Sequence, residues 1–130
     1  MIALMGLSMA ATIQLKLDGV VADGMPLRVA VFNSEESWLE EGGTERVFTV
    51  AAGTDTVTLD LGELPAGRWA VSVHHDQDDD GEIDFGWLPP GPTEGTSASC
   101  SSRPLTVPSW KGCSFEVTDQ DAVLTMEMWY

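Results

Sequence analysis

Apolar and polar residues take turns along most of this chain, with a period of two. Ile13, Leu15 and Leu17 alternate with Thr12, Gln14 and Lys16, and Leu27, Val29 and Val31 alternate with Arg28, Ala30 and Phe32. Successive strand residues point to opposite faces, so each run predicts a strand with one side turned to a core. Further strands are predicted over 47–50, 56–61, 68–75, 114–117 and 123–129. Turn chemistry separates them at Asp18-Gly19, Asp23-Gly24, Gly42-Gly43, Ala52-Gly53 and Pro65-Ala66-Gly67. About seven short strands at this spacing predict an all-β fold, an antiparallel β-sandwich. Only 34–41 reads as a helical turn or two, with Ser34 as N-cap and Ser37 or Trp38 packed inward. From Phe85 to Pro108 the alternation stops. Pro89, Pro90, Pro92, Pro104 and Pro108, with Gly86, Gly91 and Gly95, predict a long Pro/Gly-rich loop anchored on the domain. No repeat or boundary interrupts the pattern, so residues 11–130 read as one domain.

Charge narrows the class of partner. The chain of 130 residues carries 21 acidic against 6 basic side chains, a formal net charge of -15. That field repels phosphate backbones and anionic lipid, which excludes nucleic-acid binding. The acids at Glu35, Glu36, Glu40, Glu41 and Glu45 read most simply as a solubilising surface, with a cationic partner as the other reading. The first residues, Met1 to Ala11, form an apolar run with Ser8-Met9-Ala10 as a small-x-small cleavage signature. Residues 1–10 are therefore predicted to be a signal-peptide remnant, although no basic residue precedes the run; a first strand or short buried segment is the other reading. The run is too short to span a membrane. Export implies a periplasmic or secreted protein, and there Cys100 and Cys113 are expected to form a disulfide contributing roughly 2–3 kcal/mol. In a reducing compartment they would stay unpaired thiols. With no Cys-x-x-Cys, the two cysteines suggest neither zinc nor redox catalysis.

The most chemically specific stretch is Asp76-Gln-Asp-Asp-Asp-Gly-Glu-Ile-Asp84. Carboxylates at positions one, three, five and nine, with Gly81 at six, have the spacing of a calcium loop. In that reading Asp76, Asp78 and Asp80 give side-chain oxygens, Glu82 its backbone carbonyl, and Asp84 binds directly or through water. Glu94 or a carbonyl of the Pro-rich loop completes the shell. Position twelve is Trp87 where an EF-hand has a bidentate Glu, and a strand precedes the loop, so this is not an EF-hand. The other reading is an Asp/Gly-rich turn whose carboxylates cap local N–H groups. Both stay open on sequence; crowded carboxylates repel one another without a cation, which favours Ca2+ at an affinity of about 10⁻⁴–10⁻³ M.

His74 and His75 are neighbours on one predicted strand, so their rings face opposite sides and do not chelate one ion. His75 shares a face with Val71 and Val73 and is expected to be partly buried and hydrogen-bonded. A Ser72–His74 pair lacks the elbow and oxyanion loop that nucleophilic catalysis needs. Trp69 and Trp129 lie in strand patterns and are expected in the core. Trp87 and Trp110 flank the Pro-rich loop, either anchoring it or, with Glu94, presenting a binding surface.

The succession Leu64-Pro65-Ala66-Gly67-Arg68-Trp69, then His75-Asp76 and the acidic run, then Gly91-Pro92-Thr93-Glu94 and Pro108 to Phe115, resembles a family of exported bacterial proteins. That family is domain of unknown function 2141, and the resemblance extends from about Ile13 to Tyr130. It implies an immunoglobulin-like or transthyretin-like β-sandwich and no established activity. Trp69 replaces the family's Tyr, Asp78 and Asp80 replace its Asn residues, and the cysteines lie outside its common pattern. The added carboxylates should tighten a cation site. The expected function is therefore an exported, non-enzymatic binding or accessory module with a calcium-stabilised loop and an unidentified protein or glycan ligand. A purely structural module without ligand, or a hydrolase using the loop acids, are the alternatives. The hydrolase fares worst, because acid–base chemistry needs carboxylates in contrasting environments rather than an acidic run in solvent.

Overall fold

A computed structural model describes residues 9–40, 42–77, 95–100 and 108–130. The described strands are β1 (Ala10–Asp18), β2 (Pro26–Phe32), β3 (Arg46–Ala51), β4 (Val57–Pro65), β5 (Gly67–His75), β6 (Thr96–Ala98), β7 (Phe115–Val117) and β8 (Ala122–Glu127), with one short helix, α1 (Trp110–Cys113). They form two sheets, β4-β1-β8 and β3-β2-β5, the second extended by β6 and β7 on the outer edge of β5. This is the β-sandwich that the alternation predicts. One pair departs from antiparallel: β1 and β8 run parallel, from Ile13 beside Ala122 to Asp18 beside Glu127. No helix among the described residues is long and apolar enough to cross a membrane.

The core lies between the sheets. Ile13, Leu15 and Leu17 from one sheet meet Leu27, Val29, Val31, Val71 and Val73 from the other, with Leu61, Leu64, Trp69, Val117 and Met126 closing the ends. Fully burying such a side chain contributes roughly 2 kcal/mol. A second apolar cluster covers the opposite face of the five-stranded sheet, where Ala30, Phe32, Ala70 and Ala98 pack against Trp38, Cys113 and Trp129. Strand β5 is thus buried on both faces from Trp69 to His75, which is why its alternation is the weakest. Trp38 reaches this cluster from a series of turns, not a helix. Ser34 Oγ accepts the Ser37 N–H as a cap would, at 3.2 Å, but the following residues do not continue into regular helical bonding. The Trp38 ring meets Phe32 edge-on at 5.1 Å, and its Nε1–H donates to the Pro108 carbonyl at 2.8 Å.

Strands β6 and β7 are two pieces of one interrupted strand. β6 pairs with Ser72 to His74 and β7 with Gly67 to Trp69, both antiparallel to β5. Between them Ser99 still holds Val71, donating its N–H to the Val71 carbonyl and accepting the Val71 N–H on Oγ, each at 2.9 Å. After Cys100 the described chain resumes at Pro108 and enters β7 through α1, which Ser109 caps by accepting the Gly112 N–H at 3.1 Å. The predicted disulfide Cys100–Cys113 bridges this interruption, and Ser99 Oγ–H donates to the Cys113 carbonyl across it.

The two open sides of the sandwich differ. On one, β4 bulges opposite Ile13, where the register slips between Thr12 and Gln14 and Gly62 takes a positive φ of 84°. Arg46 of β3 lies over this bulge and donates to the carbonyls of Leu61 and Glu63 at 2.8 and 2.7 Å. A guanidinium therefore bridges the two sheets there. On the other side, β7 and β8 border a hollow of about 290 Å³ lined by Ile13, Phe115, Glu116, Val123 and Leu124 among others.

Candidate functional site

The last residues of β5 build two polar clusters, one on each face, where the chain enters the acidic run. His74 and Asp76 fall on one face, His75 and Gln77 on the other, as strand geometry requires. Of the predicted cation ligands only Asp76 lies among the described residues; Asp78, Asp80, Glu82 and Asp84 lie outside them, as do Trp87 and Glu94 of the predicted binding surface. Among the described residues no group of three or more His, Cys, Asp or Glu side chains is placed to hold a metal ion.

Asp76 is wholly buried, and its Oδ2 accepts from Arg28 Nε at 3.2 Å and Nη2 at 3.0 Å. Its own N–H donates to the Pro26 carbonyl at 2.8 Å. A carboxylate taken out of water is stable only with such a partner. Arg28 is the one charged residue of β2, and it sits beside His74 in the β2–β5 register. The first acid of the run is therefore fixed to the sheet before the run begins.

On the other face His75 is completely buried, with both ring nitrogens engaged. Nε2 lies 2.8 Å from Asp23 Oδ1 and Nδ1 lies 2.8 Å from the Tyr130 hydroxyl. The phenol oxygen also accepts the Val21 N–H at 2.9 Å. An ionised Asp23 fixes the proton on Nε2, so Nδ1 accepts from the phenol, and every polar atom in the row is satisfied. Partial burial of Asp23 opposes its ionisation but is outweighed by the Met25 N–H, the Gln77 amide and His75, which together hold its carboxyl below the usual aspartate range. Burial pushes the Tyr130 phenol above its ordinary range; the Val21 N–H opposes this and the Asp23 charge adds to it.

The same cluster ties the two stems of the acidic segment together. The His75 N–H donates to the Gly95 carbonyl at 2.8 Å, and Gln77 Oε1 accepts the Gly95 N–H at 3.3 Å. The Gln77 amide also donates to Asp23 Oδ2 at 3.2 Å. Gly95 is required for this closeness, because a Cβ there would run into the Tyr130 ring.

An Asp–His–Tyr row has the outline of a proton relay, and here it ties β5 to the turn at Asp23 and to Tyr130. His75 itself is wholly buried, and its two ring nitrogens are taken by Asp23 and Tyr130. Sequence reasoning places His75 on the right face but misses its partners. Asp23 reads as a turn residue, Arg28 as a solvent-facing strand residue, and Tyr130 carries no signal beyond being the only tyrosine. Trp110, the described member of the predicted binding surface, is half-buried with its ring 6.2 Å from that of Trp38. Trp69 and Trp129 are buried as expected.

Comparison with known proteins bears on the whole of this scaffold. A family model matches residues 15–125, and the chain belongs to that family, domain of unknown function 2141, described as "uncharacterized protein conserved in bacteria". No curated protein and no solved structure matches the chain.

Proposed function

We propose that this chain is a non-enzymatic, exported binding or accessory module whose acidic run takes a calcium ion on a rigid base built by the sandwich. The observation that carries this reading is the double anchorage of the run: Asp76 to Arg28 on one face, His75 with Asp23, Tyr130 and Gln77 on the other. Holding a set of carboxylates near one focus requires that the chain on either side be fixed, and both stems meet at Gly95. Asp76 shares its carboxylate with Arg28, so the calcium load falls mainly on Asp78, Asp80, Glu82 and Asp84. The complete burial of His75 supports a role without catalysis, and the disulfide is compatible with export. The binding partner, protein or glycan, would meet the rigid loop with Trp87, Glu94 and Trp110 beside it.

Calorimetric titration of the metal-free protein with calcium, with melting temperature followed in parallel, tests this. Binding at about 10⁻⁴–10⁻³ M and a rise in melting temperature are expected. Asp78→Ala with Asp80→Ala should abolish both. Absence of heat and of thermal shift at millimolar calcium, or equal shifts in wild type and variant, would overturn the calcium reading.

A further inference from the structure

We propose that the outer edge of β8, with the hollow beside it, is a docking site for an extended, basic segment of a partner protein, which adds to the sheet as a further strand. Neither Asp76 nor Gln77, the described start of the acidic run, lines this hollow, and the proposal does not depend on calcium. Three observations lead to it. Among the described residues, β8 pairs only with β1, so the other edge of Ala122 to Thr125 is left with unpaired backbone groups. Exposed strand edges are ordinarily blunted by charge, proline or a bulge. Edge strand β4 follows that rule, with its bulge, Asp60, Glu63 and the overlying Arg46. Edge strand β8 breaks it: Ala122-Val123-Leu124-Thr125 contains no charge and no proline, and Val123 is 60% exposed.

The hollow supplies side-chain selectivity beside that edge. Its floor is apolar, from Ile13, Phe115 and Leu124, and its rim carries Glu116 and Asp121. Asp121 is fixed there by accepting the Thr12 N–H at 2.8 Å. A segment alternating apolar and basic residues satisfies all three features, with main-chain bonds to β8, apolar side chains into the hollow and cations on the acidic rim. The net charge of -15 favours a cationic partner and opposes pairing of the edge with a second copy of the chain.

Fluorescence anisotropy with a labelled ten-residue peptide of alternating valine and lysine tests the proposal on the full chain. Saturable binding to wild type is expected, weakened at least tenfold by Val123→Lys, a change at an exposed position that should leave the melting temperature unaltered. Val47→Lys adds the same charge to the edge strand β3, where Val47 is 50% exposed, and should leave binding within twofold. A valine–glutamate peptide should not bind, nor should a valine–lysine peptide with its valines replaced by proline. The proposal is overturned by absence of binding at millimolar peptide or equal binding of the glutamate or proline peptide. Equal losses from Val123→Lys and Val47→Lys would overturn it too, as would concentration-dependent self-association of the wild type that Val123→Lys abolishes.

Discussion

The imidazole Nδ1 of His75 lies 2.8 Å from the hydroxyl of Tyr130, joining the end of β5 to the last residue of the chain. With Asp23 holding the proton on Nε2, the phenol keeps its own proton and donates a hydrogen bond to Nδ1.

Tyr130 is the only tyrosine, so tyrosinate absorbance in an alkaline titration reports this hydroxyl alone. The folded protein should titrate with a midpoint above the ordinary value of 10.0, returning to that value in denaturant. A folded midpoint at or below it would mean that the phenol is not held against His75 and Val21 as described.

Tyr130→Phe removes one oxygen and leaves both the buried His75 Nδ1 and the Val21 N–H without their partner. Stranding the buried imidazole nitrogen costs roughly 1–3 kcal/mol, measurable as a lower urea midpoint with an unchanged slope, while the exposed Val21 N–H turns to water. Calcium affinity should fall with it, since Tyr130 braces the stem at Gly95.

Asp23 gives the row a pH signature. Its folded pKa is depressed, so its contribution to stability is complete above the unfolded value, about pH 4, and is lost as pH falls through the lower folded value. The difference in melting temperature between wild type and Asp23→Asn should therefore be constant near neutrality and shrink below about pH 4. A difference that holds unchanged to the lowest pH would show that the carboxylate charge plays no part.

The Arg28–Asp76 pair should behave as a buried ion pair. Arg28→Met alone leaves Asp76 buried without this cation and is expected to cost about 3 kcal/mol or more. Arg28→Met with Asp76→Met removes the charge as well as its partner and should recover most of that loss. A double variant as unstable as the single one would show that the pair acts through packing.

How much of this could be read from sequence depended on whether a residue's role was local. Strand β1 announces itself because it has one buried face, with Leu15 set between exposed Gln14 and Lys16; β2 alternates only in its first half, because Ala30 and Phe32 are buried on its second face. The face of His75 follows from the same parity. Strand β6 is invisible by that measure: Thr96-Ser97-Ala98 has no pattern and becomes a strand only because β5 offers it an edge. Tertiary pairing overrides propensity in such short pieces. The partners of His75 are hidden for a related reason, since Asp23 and Tyr130 come from distant turns and termini that only the folded sandwich brings together.

Cys100→Ser with Cys113→Ser tests the bridge across the interruption. Loop-closure entropy for so short a span is worth roughly 3 kcal/mol. The variant should lose about that much stability in urea while keeping the native circular-dichroism spectrum, because β6 and β7 are each paired to β5 independently. Loss of the strand spectrum would mean that the crosslink is needed to form the interrupted strand at all.

That interruption has a use in engineering. Because β6 and β7 are paired to β5 separately, new sequence can be spliced between Cys100 and Pro108 without changing the strand order. The bonds of Ser99 and the crosslink would hold the exit and entry points together whatever the length of the graft, making this a natural port for displaying foreign peptides.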